Sequence, residues 1–91
     1  MKVLDGRNAH KVPETIEISE FIIAGKWLNG TKPIYCLQLD GKFIPCTPNE
    51  PLFACDYSTD RYKYILCAEY KTMRGFNNWL KRTYPYAIKE Q

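Results

Sequence analysis

A chain of 91 residues with 45% apolar and 25% charged side chains is long enough to enclose one hydrophobic core, and it lacks the polar, highly charged composition of disordered proteins. A net charge of +3 falls short of the strongly basic balance that marks a dedicated nucleic-acid binder. Because no apolar run reaches the ~18 residues of a membrane span and the first residues lack the apolar stretch of a secretory signal, we expect one cytoplasmic domain over residues 1–91 that makes no membrane contact.

Residues 1–13, ending at Pro13, are interrupted at Asp5-Gly6 and read as an irregular arm or a small hairpin. Glu14 to Ile18 alternates Ile16 and Ile18 with Thr15 and Glu17, the period of a strand with one buried face. Over residues 19–28 the pattern changes. Ser19 can cap a helix, Phe21, Ala24 and Leu28 recur at three and four, and Asn29-Gly30 offers a stop, so this spacing predicts a short helix. A strand is the rival reading, because Ile22 and Ile23 are β-branched and Gly25 weakens a helix interior by about 1 kcal/mol relative to alanine.

The clearest local signal spans residues 34–46, two apolar runs joined by Asp40-Gly41, a pair that tolerates the positive φ angles of a type I′ turn. A two-residue loop sets Leu39 opposite Lys42, Leu37 opposite Ile44, Tyr35 opposite Cys46 and Cys36 opposite Pro45, so Cys36 and Cys46 point to opposite faces. Pro45 has no donor for a sheet ladder, which predicts an edge at that point. After the breaks at Pro48, Asn49 and Pro51, strands are expected at 52–56 and 62–70, linked by Ser58-Thr59-Asp60. The second of these reads as a central strand with Tyr62, Tyr64, Leu66, Ala68 and Tyr70 on one face.

A helix is expected over 72–83, with Thr72 as cap, Lys81 and Arg82 in the last turn and Pro85 forbidding continuation. At 100° per residue Met73, Phe76, Trp79, Leu80 and Tyr84 share one arc, and Arg74, Asn77, Asn78, Lys81 and Arg82 the other. The fold class is therefore α+β, a small, mostly antiparallel sheet packed by a C-terminal helix.

Site chemistry has few markers. Cys36, Cys46, Cys55 and Cys67 lack the paired C-x2-C spacing of zinc ligands and sit in apolar, strand-like stretches, where they read as reduced core residues, with two disulfides as the rival. His10 is the only histidine, Ser19 and Ser58 lie outside any nucleophile motif, no glycine-rich loop opens a helix, and Glu17 and Glu20 read as a solvated pair. We expect no catalytic residues, no metal and no cofactor.

One constellation suits contact with a partner. Arg74, Asn78 and Lys81 repeat at four and three along the outer arc of the last helix, Arg82 flanks them, and Lys63 and Lys71 from the preceding strand can extend the positive region. The bland alternative is a solvated face that complements the helix dipole. Residues 60–91 hold seven Lys or Arg against three Asp or Glu, whereas residues 1–59 hold six against seven, so the surplus charge lies in this region. By exclusion, the expected function is a small non-enzymatic protein that binds a protein partner, of the kind with which viruses or mobile elements inhibit host enzymes. Nucleic-acid binding through the same helix is the alternative, and association with a second copy is open.

Overall fold

A computed structural model describes residues 1–7, 13–50 and 62–90. Among them run the strands β1 (Lys2–Asp5), β2 (Thr15–Glu17), β3 (Ile22–Asn29), β4 (Lys32–Leu39), β5 (Lys42–Pro48) and β6 (Tyr64–Leu66), the helix α1 (Met73–Thr83) and the short strand β7 (Ile88–Lys89). A single 3-10 turn, Ile18–Glu20, links β2 to β3. The strands form one sheet in the order β2-β1-β6-β5-β4-β3-β7, antiparallel throughout except where β1 meets β6. The α+β class, with a mostly antiparallel sheet under a C-terminal helix, stands. No helix among the described residues is long and apolar enough to cross a membrane.

The topology forces this sheet to curl. β2 and β3 are separated by five strand spacings, which in a flat sheet would be about 24 Å. The five peptide units from Glu17 to Ile22 reach at most about 18 Å when extended, and the 3-10 turn between them shortens that reach. Ile18 and Phe21, carried by this link, pack with Val3, Leu37, Ile44, Cys46 and Leu66, so the concave side holds one core cluster. The opposite side carries Trp27, Ile34 and Cys36, which Phe76, Leu80 and Tyr84 of the helical segment cover. Along β4, Ile34 and Cys36 face the helix while Tyr35 and Leu37 face the concave core, the period-two alternation of a sheet buried on both sides.

The 34–46 hairpin has the expected register, from Leu39 opposite Lys42 to Tyr35 opposite Cys46. Both turn residues have positive φ, 50° at Asp40 and 74° at Gly41, as a type I′ turn requires. Cys36 and Cys46 accordingly lie in different clusters, on opposite faces.

Residues 19–28 correct the helical expectation, for Ile22–Asn29 is strand β3. Asn29 pairs with Lys32 across Gly30-Thr31, and Gly30 takes φ of 66°, so the apparent helix stop is a second two-residue hairpin turn. A bulge between Ile23 and Gly25 shifts the register. It inserts one residue into the alternation, placing Phe21 on the concave side and Trp27 on the helix side. That extra residue hides period two in the sequence and lets a spacing of three and four show through. The first residues are likewise no irregular arm, since Lys2–Asp5 is held between β2 and β6.

Pro45 also departs from expectation. It is fully buried, and β5 lies between β4 and β6 rather than at an edge. Its carbonyl accepts from the Cys67 amide at 2.8 Å, so the side of Pro45 that lacks a donor faces the segment after β6. There the ladder breaks. Cys46 pairs with Leu66, and the next contact is the Phe43–Tyr70 bridge, leaving two residues of β5 against three of the neighbouring segment. The expected 62–70 strand is therefore regular only at Tyr64–Leu66. The odd residue reverses the facing: Tyr64 and Leu66 join the concave cluster, whereas Tyr70 joins the helix-side cluster. The expected strand 52–56, and with it Cys55, lies outside the described residues, as does His10.

Candidate contact site on the C-terminal helix

The helix that carries the site is specified locally. Thr72 is extended, and its side chain accepts from the Gly75 amide at 3.1 Å, capping the first turn. Phe76 is fully buried with its ring centroid 5.1 Å from that of Trp27, and Leu80 and Tyr84 continue the same buried side. The inner arc thus sits on the sheet. Arg74, Asn78, Lys81 and Arg82 are all exposed on the outer side, while Asn77 is half-buried.

Lys63 and Lys71 are exposed as well. Neither belongs to the hollow that forms beside the helix. This shallow, open hollow of about 520 Å³ is lined, among the described residues, by Tyr70, Gly75, Asn78, Lys81 and Arg82. Of the six expected contact residues the fold thus gathers three around one hollow, and Arg74, Lys63 and Lys71 lie outside its lining.

Tyr70 forms one wall. The Phe43–Tyr70 bridge anchors it through paired backbone bonds of 2.7 and 2.8 Å, and its ring lies 6.5 Å from that of Trp79. Gly75 keeps the floor low, because a Cβ there would stand 3.3 Å from Tyr70 Cδ1. Arg82 is steadied by its Nε, which donates to the Asn78 carbonyl at 3.3 Å. Burial raises the Tyr70 hydroxyl above its ordinary pKa, and the positive charge of Arg82 acts against that shift.

No described acid neutralises this surface. Among the described residues ion pairs join Met1 to Glu17, Arg7 to Asp5 and Glu69, Lys26 to Glu90, Lys32 to Glu50, and Lys42 to Glu69. Lys63, Lys71, Arg74, Lys81 and Arg82 appear in none of these pairs, so the cations without a carboxylate concentrate where the surplus charge of the sequence lies. They are available to an outside anion.

The cysteines offer a contrasting chemistry. Cys36 and Cys46 are free thiols. Burial pushes the Cys36 thiol up to about 11 and the Cys46 thiol up to about 12, so both are protonated at neutral pH, the unreactive form. Cys36 packs its sulfur 3.8 Å from that of Met73 under the helix, and Cys67 lies 3.3 Å from the Thr47 hydroxyl.

Gly75 and the wall role of Tyr70 are not evident from the residues in isolation. A signal for Tyr70 was present, namely a proline in the strand that would pair with its own. Comparison with protein-family models, with curated proteins and with solved structures returns no match for this chain.

Proposed function

We propose that this chain is a small, non-enzymatic, cytoplasmic binding protein that covers an acidic surface of a protein partner with the outer side of α1. The observation that carries the reading is the set Arg74, Lys81 and Arg82, exposed and without an acid partner among the described residues, with Tyr70 bordering Lys81 and Arg82. Tyrosine beside arginine is the composition of binding hot spots, where a rigid ring supplies area and a guanidinium supplies directed donors. Inhibition of a host enzyme by a viral or mobile-element product is the role that this size and class suggest.

The test is affinity capture from a cell lysate by the intact chain and by an Arg74→Ala/Lys81→Ala double variant, followed by mass spectrometry and affinity measurement. A partner that is retained by the intact chain and lost by the variant is the expected result. Equal retention by both removes the helix face from the reading.

Nucleic-acid binding is the second reading, favoured by the ring of Tyr70 beside two cations, an arrangement that can stack a base and meet a phosphate. Its mark is affinity for a single-stranded oligonucleotide that falls steeply with salt, because each phosphate contact releases counterions.

A further inference from the structure

We infer that the hollow between Tyr70 and α1 receives a phosphorylated side chain of the partner protein, the dianionic phosphate held by Lys81, Arg82 and Asn78. This rests on the helix-face reading above and narrows it to one chemistry.

Three features of the hollow converge on that group. Charge comes first. Lys81 and Arg82 bring two positive charges to one lining, and no acidic residue appears among its described members. A carboxylate would leave one of those charges unmatched, whereas a phosphate monoester carries about −1.5 to −2 at neutral pH.

Donor geometry is the second feature. With Nε of Arg82 already given to the Asn78 carbonyl, the two terminal nitrogens of the guanidinium stay free to grip two oxygens side by side. The Lys81 ammonium and the Asn78 amide add donors of other direction. A tetrahedral group with three outward oxygens can meet donors arriving from several directions, whereas a carboxylate presents its acceptor sites in a single plane.

Size is the third. The hollow is shallow and open to solvent, and its volume of about 520 Å³ exceeds what a bare phosphate fills. The remaining space opens beside the Tyr70 ring, where the stem or ring of the carrying residue can lie. A nucleic-acid backbone offers monoanionic diesters instead, a poorer match to two cations in one place.

The experiment follows the amide signals of Gly75 and Asn78 and the Asn78 side-chain signal by NMR in the intact labelled protein. Four probes are titrated separately: phenyl phosphate, O-phosphoserine, benzoate and a short single-stranded oligonucleotide. A phosphate monoester should shift these signals with affinity at least about tenfold above that of benzoate, the scale of one added charge-assisted contact. Arg82→Ala should remove the binding, and Lys32→Ala, outside the lining of the hollow and paired with Glu50, should leave it intact. The advantage over benzoate should shrink as pH falls from about 7.5 to about 5.5, because the phosphate loses its second charge near pH 6. Phenyl phosphate outbinding O-phosphoserine would point to phosphotyrosine, and the reverse order to phosphoserine or phosphothreonine.

Benzoate binding as well as the phosphates, or no shift at Gly75 and Asn78 with any monoester, overturns the inference. An oligonucleotide that outbinds both monoesters overturns it in favour of nucleic acid. Failure here, with partner capture still dependent on Arg74 and Lys81, leaves the helix-face reading standing. Capture indifferent to those residues defeats that reading itself. Phosphatase treatment of the lysate before capture closes the loop, since it should abolish retention if the phosphate is the anchor.

Discussion

Two charged regions of this molecule are put to opposite uses. At one corner of the sheet Arg7 Nε meets Asp5 Oδ1 at 2.9 Å, its Nη1 meets Glu69 Oε1 at 2.9 Å, and Lys42 Nζ meets Glu69 Oε2 at 3.1 Å. The Arg7 side chain is only 14% exposed, so this network ties β1 to the segment after β6 and to the start of β5, bracing the parallel pairing of β1 with β6. On α1 the cations stand in water with no carboxylate among the described residues. A charge satisfied inside the fold serves the fold, and one left unsatisfied on a rigid helix is set toward something outside it.

The contrast breaks if the helix is not rigidly seated, and the largest effect tests that seat. Phe76→Ala removes a fully buried ring from between Trp27 and Trp79 and should cost about 3 to 5 kcal/mol in denaturant unfolding. A loss below about 1 kcal/mol would mean that α1 is loosely attached and its outer face ill-defined.

Arg7→Ala comes next, at about 1 to 2 kcal/mol, more than an exposed pair because Asp5 and Arg7 are both shielded and the contact is bidentate. Burial alone would raise the Asp5 carboxyl, but the hydrogen bonds and charge of Arg7 outweigh it and hold the group below its ordinary value of 3.8. A depressed carboxylate contributes stability that is fully present above its unfolded pKa and is lost as pH falls through the folded one. The stability gap between the native chain and Arg7→Ala should therefore be constant above about pH 5 and close as pH drops below about 4. A gap that persists unchanged at lower pH would show that Arg7 acts through packing and not through this pair.

The smallest effects sharpen the other side. Single alanine substitutions at Arg74, Lys81 or Arg82 should change stability by no more than about 0.5 kcal/mol, since these side chains hold no ion pair within the described fold. A loss above about 1 kcal/mol at any of them would return that residue to a structural role.

The same division separates what the residues declare from what the fold adds. Asp40-Gly41 dictates its hairpin because the turn depends on two local φ angles, and every cross-strand partner then follows by counting. Thr72, the aromatic spacing and Pro85 delimit α1 by equally local means, and these alone place Arg74, Asn78, Lys81 and Arg82 on the outer surface. Residues 19–28 look helical in isolation because their bulge pairs with β4, a partner that periodicity within one segment does not contain. Pro45 differs from expectation for a related reason: loss of one donor implies an edge, whereas the sheet accommodates it by giving the neighbouring segment an extra residue.

By itself the sequence determined the α+β class, the central hairpin, the amphipathic helix and the exposed basic row, because each depends on contacts between residues close along the chain. Only the tertiary structure decided that the sheet curls, that β1 lies inside it, and that Tyr70 turns to the helix side to wall a hollow with Gly75, Asn78, Lys81 and Arg82. Those outcomes depend on how distant segments count against one another across a ladder. A single unmatched residue opposite Pro45 reverses a face, and no local period records it.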